Sequence, residues 1–168
     1  MRHGSKRAIA ALAAVAAMIG APALVSAATG GGGGPVFATI TVAVGASAPL
    51  TAKLIAKVPV DITCTLTQAG MDAGASSMPD FSFVNVQLSE AVTKTTIAQG
   101  QGGAGPFVCD GSTSHLSVSV TSYTAPFKGG RALVQVSAEA DWLPYDPDTG
   151  QLAGTASVAT EPLVIDLK

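Results

Sequence analysis

Cysteine, histidine and tryptophan are scarce in this 168-residue chain, with two, two and one of each, and each shortage argues against a class of chemistry. The two cysteines, Cys64 and Cys109, form no C-x-x-C pair and have no histidine at ligand spacing. That argues against thioredoxin-like redox chemistry and a tetrahedral zinc site. No G-x-S-x-G elbow marks an activated serine. Charged residues make up only 12% of the chain and no basic stripe occurs, so nucleic acid is not an expected partner. After residue 27 no apolar run approaches the roughly 20 residues that a membrane helix needs. The mature chain is therefore expected to have no membrane span.

What is present begins with an address. Arg2, Lys6 and Arg7 precede an apolar run from Ala8 to Ile19, Gly20 and Pro22 interrupt it, and Val25-Ser26-Ala27 closes it. This is the layout of a secretory signal peptide, so residues 1–27 are expected to be cleaved and the protein released outside the cell. Lys6-Arg7 narrowly misses a twin-arginine signal, and no cysteine stands at the cleavage point to carry a lipid. Cleavage leaves 141 residues with six basic side chains against eleven acidic ones, a net charge of −5. That length suits one domain.

Residues 28–35 contain the five-glycine tract Gly30–Gly34, which loses much backbone entropy on ordering and is expected to be a flexible linker. From 36 to 168 the dominant signal is alternation. Val36, Ala38, Ile40, Val42 and Val44 lie on one face, and Phe37, Thr39, Thr41 and Ala43 on the other. The same period of two returns in Val58 to Leu66, Val84 to Ser89, Leu116 to Thr121, Val134 to Trp142, and Leu163 to Leu167. Turn residues separate these rows at Gly45–Pro49, Gly70–Pro79, Gly100–Pro106, Asp110-Gly111, Lys128-Gly129-Gly130 and Asp146–Gly150. No 3.6-residue period is visible. The expected fold is an all-β antiparallel sandwich of about seven to nine strands in a single domain, its inward rows covered by a second sheet.

Cys64 stands on an apolar strand face and Cys109 precedes Asp110-Gly111; with no third cysteine, a Cys64–Cys109 disulfide stapling the two sheets is the expectation. Several weaker patterns stand beside plain structural explanations. Asp146-Pro147-Asp148-Thr149-Gly150, preceded by Asp141, alternates oxygen ligands as a calcium loop does. Leu152 and Ala153 stand where a closing glutamate would be needed, and the same residues make an ordinary hairpin turn. Tyr123, Trp142 and Tyr145 could form a stacking platform for sugars, although Trp142 also belongs to an inward row. His115 follows Asp110 and Ser112 without the rest of a catalytic triad, and Glu90, Glu139 and Glu161 are the only glutamates a glycosidase could use. Gly100, Gly102, Gly103 and Gly105 read as a flexible hairpin loop, because no Lys-Ser/Thr pair follows to bind phosphate.

Six features together carry a resemblance: the N-terminal leader, the Gly-rich tract after it, Cys64 on an early strand, Gln99-Gly100-Gln101-Gly102-Gly103, Cys109-Asp110-Gly111 with Leu116-Ser117-Val118, and Phe127-Lys128-Gly129-Gly130-Arg131-Ala132. Over roughly residues 50–140 the chain resembles small exported immunoglobulin-like domains of high-GC Gram-positive bacteria, a family of unknown function. The resemblance implies an immunoglobulin-like sandwich and transfers no catalytic residue. Immunoglobulin domains keep their core tryptophan between the two cysteines, whereas Trp142 follows both. The expected function is a secreted, non-enzymatic binding or structural module that needs no cofactor and meets a cell-wall polymer or another extracellular protein. The alternatives are a small secreted hydrolase, or an inhibitor or protein ligand acting through Gly70–Pro79 or Gly100–Pro106.

Overall fold

The computed structural model describes residues 23–26, 36–143 and 154–168. Their strands are β1 (Ala23–Ser26), β2 (Ala38–Val44), β3 (Ser47–Ala48), β4 (Leu50–Thr51), β5 (Ile55–Leu66), β6 (Phe81–Ala91), β7 (Ile97–Ala104), β8 (Asp110–Ser122), β9 (Gly130–Trp142), β10 (Gly154–Ala159) and β11 (Leu163–Leu167). One helical turn, α1 (Gln68–Asp72), interrupts them. The expected glycine linker and the Asp146–Gly150 turn lie outside the described residues, as do residues 1–22 and 27 of the leader.

The strands form one curled sheet in the order β1-β2-β5-β8-β7-β6-β9-β11-β3, with β4 added to β5 and β10 to β9. The curl brings the start of β2 to β10, where Val36 bridges Thr155 and the Phe37 N–H donates to the Thr155 carbonyl at 3.3 Å. Pairing between the strands is antiparallel except between β11 and β3, and the Val36–Thr155 bridge is also parallel. Period-two alternation then places one set of side chains inside the curl. Ala38, Ile40, Val42 and Val44 from β2, Val58, Val60 and Ile62 from β5, and Val118 and Val120 from β8 enter one cluster with Val84, Val86, Val134, Val136 and Ile165. The apolar rows read from the sequence are these inward rows. β-branched valine and isoleucine suit them because their restricted χ1 fits a pleated, packed surface.

Four local expectations need correction. Gly100–Pro106 is not a loop: Gly100 to Ala104 are the second half of β7, between β6 and β8. These glycines serve close approach, because a Cβ on Gly102 would stand 2.1 Å from the Ser119 carbonyl oxygen. Tertiary packing thus overrides the weak strand propensity of glycine. Phe37 does not face outward as its alternation predicts but is buried, because the strand becomes regular only at Ala38; its ring packs 6.0 Å from that of Trp142 and over Gly154. Residues 68–72 make a helical turn too short to show a period; the Thr67 side chain caps it by accepting from the Gly70 N–H at 3.2 Å.

The disulfide expectation is half right. Cys64 and Cys109 are bonded and buried, with Cα atoms 4.3 Å apart. The bond joins neighbours, however, and does not cross the core. Cys109 leads directly into β8, which pairs with β5 throughout, and the register shifts between Thr63 and Thr65 beside Cys64. Gly111 sits at this irregularity with φ +87°, a value that favours glycine.

Candidate functional site

The side chains singled out from the sequence do not converge. Trp142 is only 4% exposed, and its Nε1 donates to the Ser76 carbonyl at 2.7 Å, so the indole offers no face to a sugar. Its position in an inward row decides this. Tyr123, by contrast, is 66% exposed beyond the end of β8. Tyr145 lies outside the described residues, as do Asp146 and Asp148 of the calcium pattern. Asp141 faces outward from β9, opposite Phe81 on one side and Thr155 on the other, and partial burial raises its carboxyl above the ordinary aspartate range. Among the described residues no group of three His, Cys, Asp or Glu side chains is placed to hold a metal.

His115 does not meet Asp110 or Ser112. Its Nδ1 lies 2.8 Å from Asp61 Oδ1 on the paired strand β5, on an open surface. Asp110 instead accepts from the Ser112 N–H at 2.8 Å; the Ser112 hydroxyl and this N–H hold its carboxyl below the ordinary range. The three glutamates are also separate in kind. Glu90 is buried at the inner end of the β6 row, where Oε2 accepts from the Lys128 N–H at 2.8 Å, while Glu139 and Glu161 are exposed. Of the two segments that an inhibitor would use, one is largely strand and the other is a hydrogen-bonded connection. Gly100 to Ala104 belong to β7, and the 73–80 connection is tied down through Ser76 to Trp142, Ser77 to Cys109 and Asp80 to Leu143.

What the fold assembles is a face that no single segment announces. The outward positions of β6 include Phe81, Phe83, Asn85, Gln87 and Ser89, and those of β9 include Leu133, Gln135, Ser137 and Glu139. β6 lies between β7 and β9, and its register aligns these residues in cross-strand rows. Gln87 is opposite Gln101 on β7 and Gln135 on β9, so three glutamines stand side by side across the sheet. In the next row Asn85 is opposite Gly103 and Ser137, and in the row after that Phe83 is opposite Glu139, which is itself opposite Ser157. Neighbouring strands are about 4.8 Å apart and same-face residues about 6.8 Å apart along a strand, so the amide heads form a compact lattice.

Several depressions open on this face, among them two that adjoin the glutamine row. One of about 500 Å³ is bounded by Phe83, Asn85, Gln87, Ser137, Glu139 and Ser157. Another of about 190 Å³ is bounded by Gln87, Gln99, Tyr123, Leu133, Gln135 and Pro162. Exposed Phe81 stacks with Phe83 at one end, their centroids 6.3 Å apart and planes 21° apart; Ile97, Leu133 and Val164 leave apolar surface at the other. The centre carries no cation; Arg131 lies beyond Leu133, and Glu139 and Asp141 flank the aromatic end.

The opposite wall is different in character. Outward Thr63 and Thr113 share a hydroxyl hydrogen bond of 2.8 Å, and Asp61 and His115 pair beside them. Those groups satisfy one another. Sequence alternation marked Asn85, Gln87, Gln135 and Ser137 as outward but left them as ordinary solvated positions. The signal that could have found the site is the return of glutamine at outward positions of neighbouring strands; Gln101 obscures it, because it stands within Gly100–Pro106, which reads as a loop. In comparisons with known proteins, the chain matches no family model, no curated protein and no solved structure.

Proposed function

We propose that this protein is an exported, non-enzymatic module that binds a ligand at or beyond the cell surface through the amide face of β6, β7 and β9. The observation that carries the reading is the Gln101-Gln87-Gln135 row beside an open depression. Amide heads supply donors and acceptors without chemical reactivity, which suits recognition and not bond cleavage. The basic, apolar and small-residue segments of residues 1–27 support export, and the buried Cys64–Cys109 bond accords with an oxidising compartment.

An immunoglobulin-like sandwich is the architecture we assign to this curl. It is supported by ladder lengths: β7 and β8 pair at only two positions, Gly100 with Ser122 and Gln101 with Thr121, whereas β5–β8 and β6–β9 pair along most of their length. The sheet thus bends between β7 and β8, giving one layer around β2, β5 and β8 and another around β7, β6 and β9. Removal of residues 1–27 would take β1 from the edge of β2, where it pairs with Thr41–Val44.

The test is secretion followed by co-sedimentation. Expressed in a Gram-positive host, the protein should reach the medium with Ala28 as its N-terminus by mass spectrometry. It should then pellet saturably with purified cell-wall material, and the Gln87→Ala/Gln135→Ala variant should not. Retention in the cytoplasm, or a variant that pellets like the parent, sinks the proposal.

A further inference from the structure

We infer that the ligand of the amide face is a neutral polysaccharide, an inference that rests on the binding function proposed above and gives it a substrate class. The argument starts from charge. Each Asn or Gln head carries two N–H donors and a carbonyl acceptor and stays neutral at every physiological pH. A glycan hydroxyl also donates and accepts, so an amide can meet it in either sense. Phosphate and carboxylate only accept and are held best by charged guanidinium or ammonium groups. The centre of this face has none of these, and Glu139 and Asp141 at one end repel anions. A neutral hydroxyl-rich chain is the complementary partner, and an anionic wall polymer or a nucleic acid is not.

Geometry adds to this. The glutamine row crosses three strands, about 10 Å, so a chain lying across the strands meets Gln101, Gln87 and Gln135 in succession. The adjoining depression of about 500 Å³ lies within the roughly 300–1,000 Å³ range of ligand sites. Sugars also present apolar C–H faces, and the Phe81–Phe83 pair at the edge of that depression offers exposed ring surface for them. The Phe83 ring lies flat because Gly103 beneath it has no Cβ; one built there would stand 2.1 Å from Cζ. An aromatic ring laid beside an amide lattice serves a ligand that is polar at its rim and apolar on its face.

Affinity electrophoresis of the full chain in gels containing dextran, a soluble mixed-linkage β-glucan or galactomannan tests this directly, with hyaluronate as the anionic comparison. Retardation is expected with at least one neutral polymer, should persist in 0.5 M NaCl, and should be absent with hyaluronate. Gln87→Ala/Gln135→Ala should weaken it at least tenfold and Phe83→Ala several-fold, while Ser117→Ala on the opposite wall should leave it unchanged. Thermal melts of the same variants control for folding; all four substituted side chains are outward. No retardation by any of the three neutral polymers overturns the inference, as does binding to hyaluronate alone, undiminished binding by the glutamine variant, or self-association through this face that excludes the polymers. If wall material is bound but none of the neutral polymers is, the glycan assignment fails and the binding function stands. If neither is bound, both fail.

Discussion

The ring of Phe83 on β6 lies across Gly103 on β7, its far edge occupying the place that a Cβ there would take. The two residues are not directly paired in register; Gly103 faces Asn85, one row away, and the ring leans along the strand to cover it. Covering a strand glycine with a neighbouring aromatic ring restores packing that glycine by itself cannot supply.

Two neighbouring glycines therefore respond differently to the same substitution. In Gly103→Ala the new methyl meets only the far edge of the Phe83 ring, which is 36% exposed and can swing away, so stability should fall by less than about 1 kcal/mol. In Gly102→Ala the methyl meets the Ser119 backbone, which can yield only by separating β7 from β8, and the cost should be about 1–3 kcal/mol. Urea denaturation of both variants checks the order. Equal losses would mean that the close approach of β7 to β8 is not a constraint.

The disulfide closes a loop between cysteines 45 residues apart. Chain entropy gives such a closure a value of about 4 kcal/mol, acting on the unfolded state. Replacing both cysteines by alanine should lower the stability measured by urea by about 2–4 kcal/mol. The β5–β8 ladder should survive with unchanged far-ultraviolet circular dichroism, since it is paired on both sides of the bond.

Glu90 should tolerate loss of charge better than loss of shape. Its buried carboxylate accepts from the Lys128 N–H, and every buried side-chain nitrogen or oxygen among the described residues has a partner. Glu90→Gln keeps an acceptor at that place, whereas Glu90→Ala leaves the Lys128 N–H unpaired and should cost about 1–3 kcal/mol. Thermal or urea unfolding of the pair separates the two. An alanine variant as stable as the glutamine variant would show that water replaces the carboxylate.

Asp141 predicts a pH dependence of known sign. Burial raises its folded-state pKa, so the folded protein holds that proton more tightly than the unfolded chain. The stability linked to this group is then full below the unfolded value and declines as pH rises through the folded one. Asp141→Asn should remove that decline and stabilise the protein at pH 7 by up to about 0.5 kcal/mol, the effect being small because solvent screens a side chain that is mostly open. Unfolding curves from pH 3 to 7 give the comparison; a variant that is destabilised at pH 7 would mean that the carboxylate has a partner worth more than its desolvation.

The alternation of Val58, Val60, Ile62 and Cys64, or of Val134, Val136, Ala138 and Ala140, is a property of one strand and was legible in the chain itself. Each residue's face follows from its own position in a period of two, so the core rows, the all-β class and the identity of the disulfide partners could be read without coordinates. Irregular points were less legible. Phe37 lies just before the regular part of β2, and nothing in its own segment says that its ring will meet Trp142 more than a hundred residues later.

The sequence alone determined which side chains point inward on the strands whose alternation is regular, that Cys64 and Cys109 pair, and that one stretch of the chain resembles a secretory address. Only the tertiary structure decided that the disulfide links neighbouring strands, that the glycines from 100 to 104 form a strand, and that Gln87, Gln101 and Gln135 stand in one row. The physical reason is range. Alternation and turn chemistry are set by bonds between adjacent residues, but strand order and register are set by hydrogen bonds and packing between segments far apart in the chain. A glycine that frees a loop and a glycine that admits a neighbouring backbone are identical until that neighbour is in place.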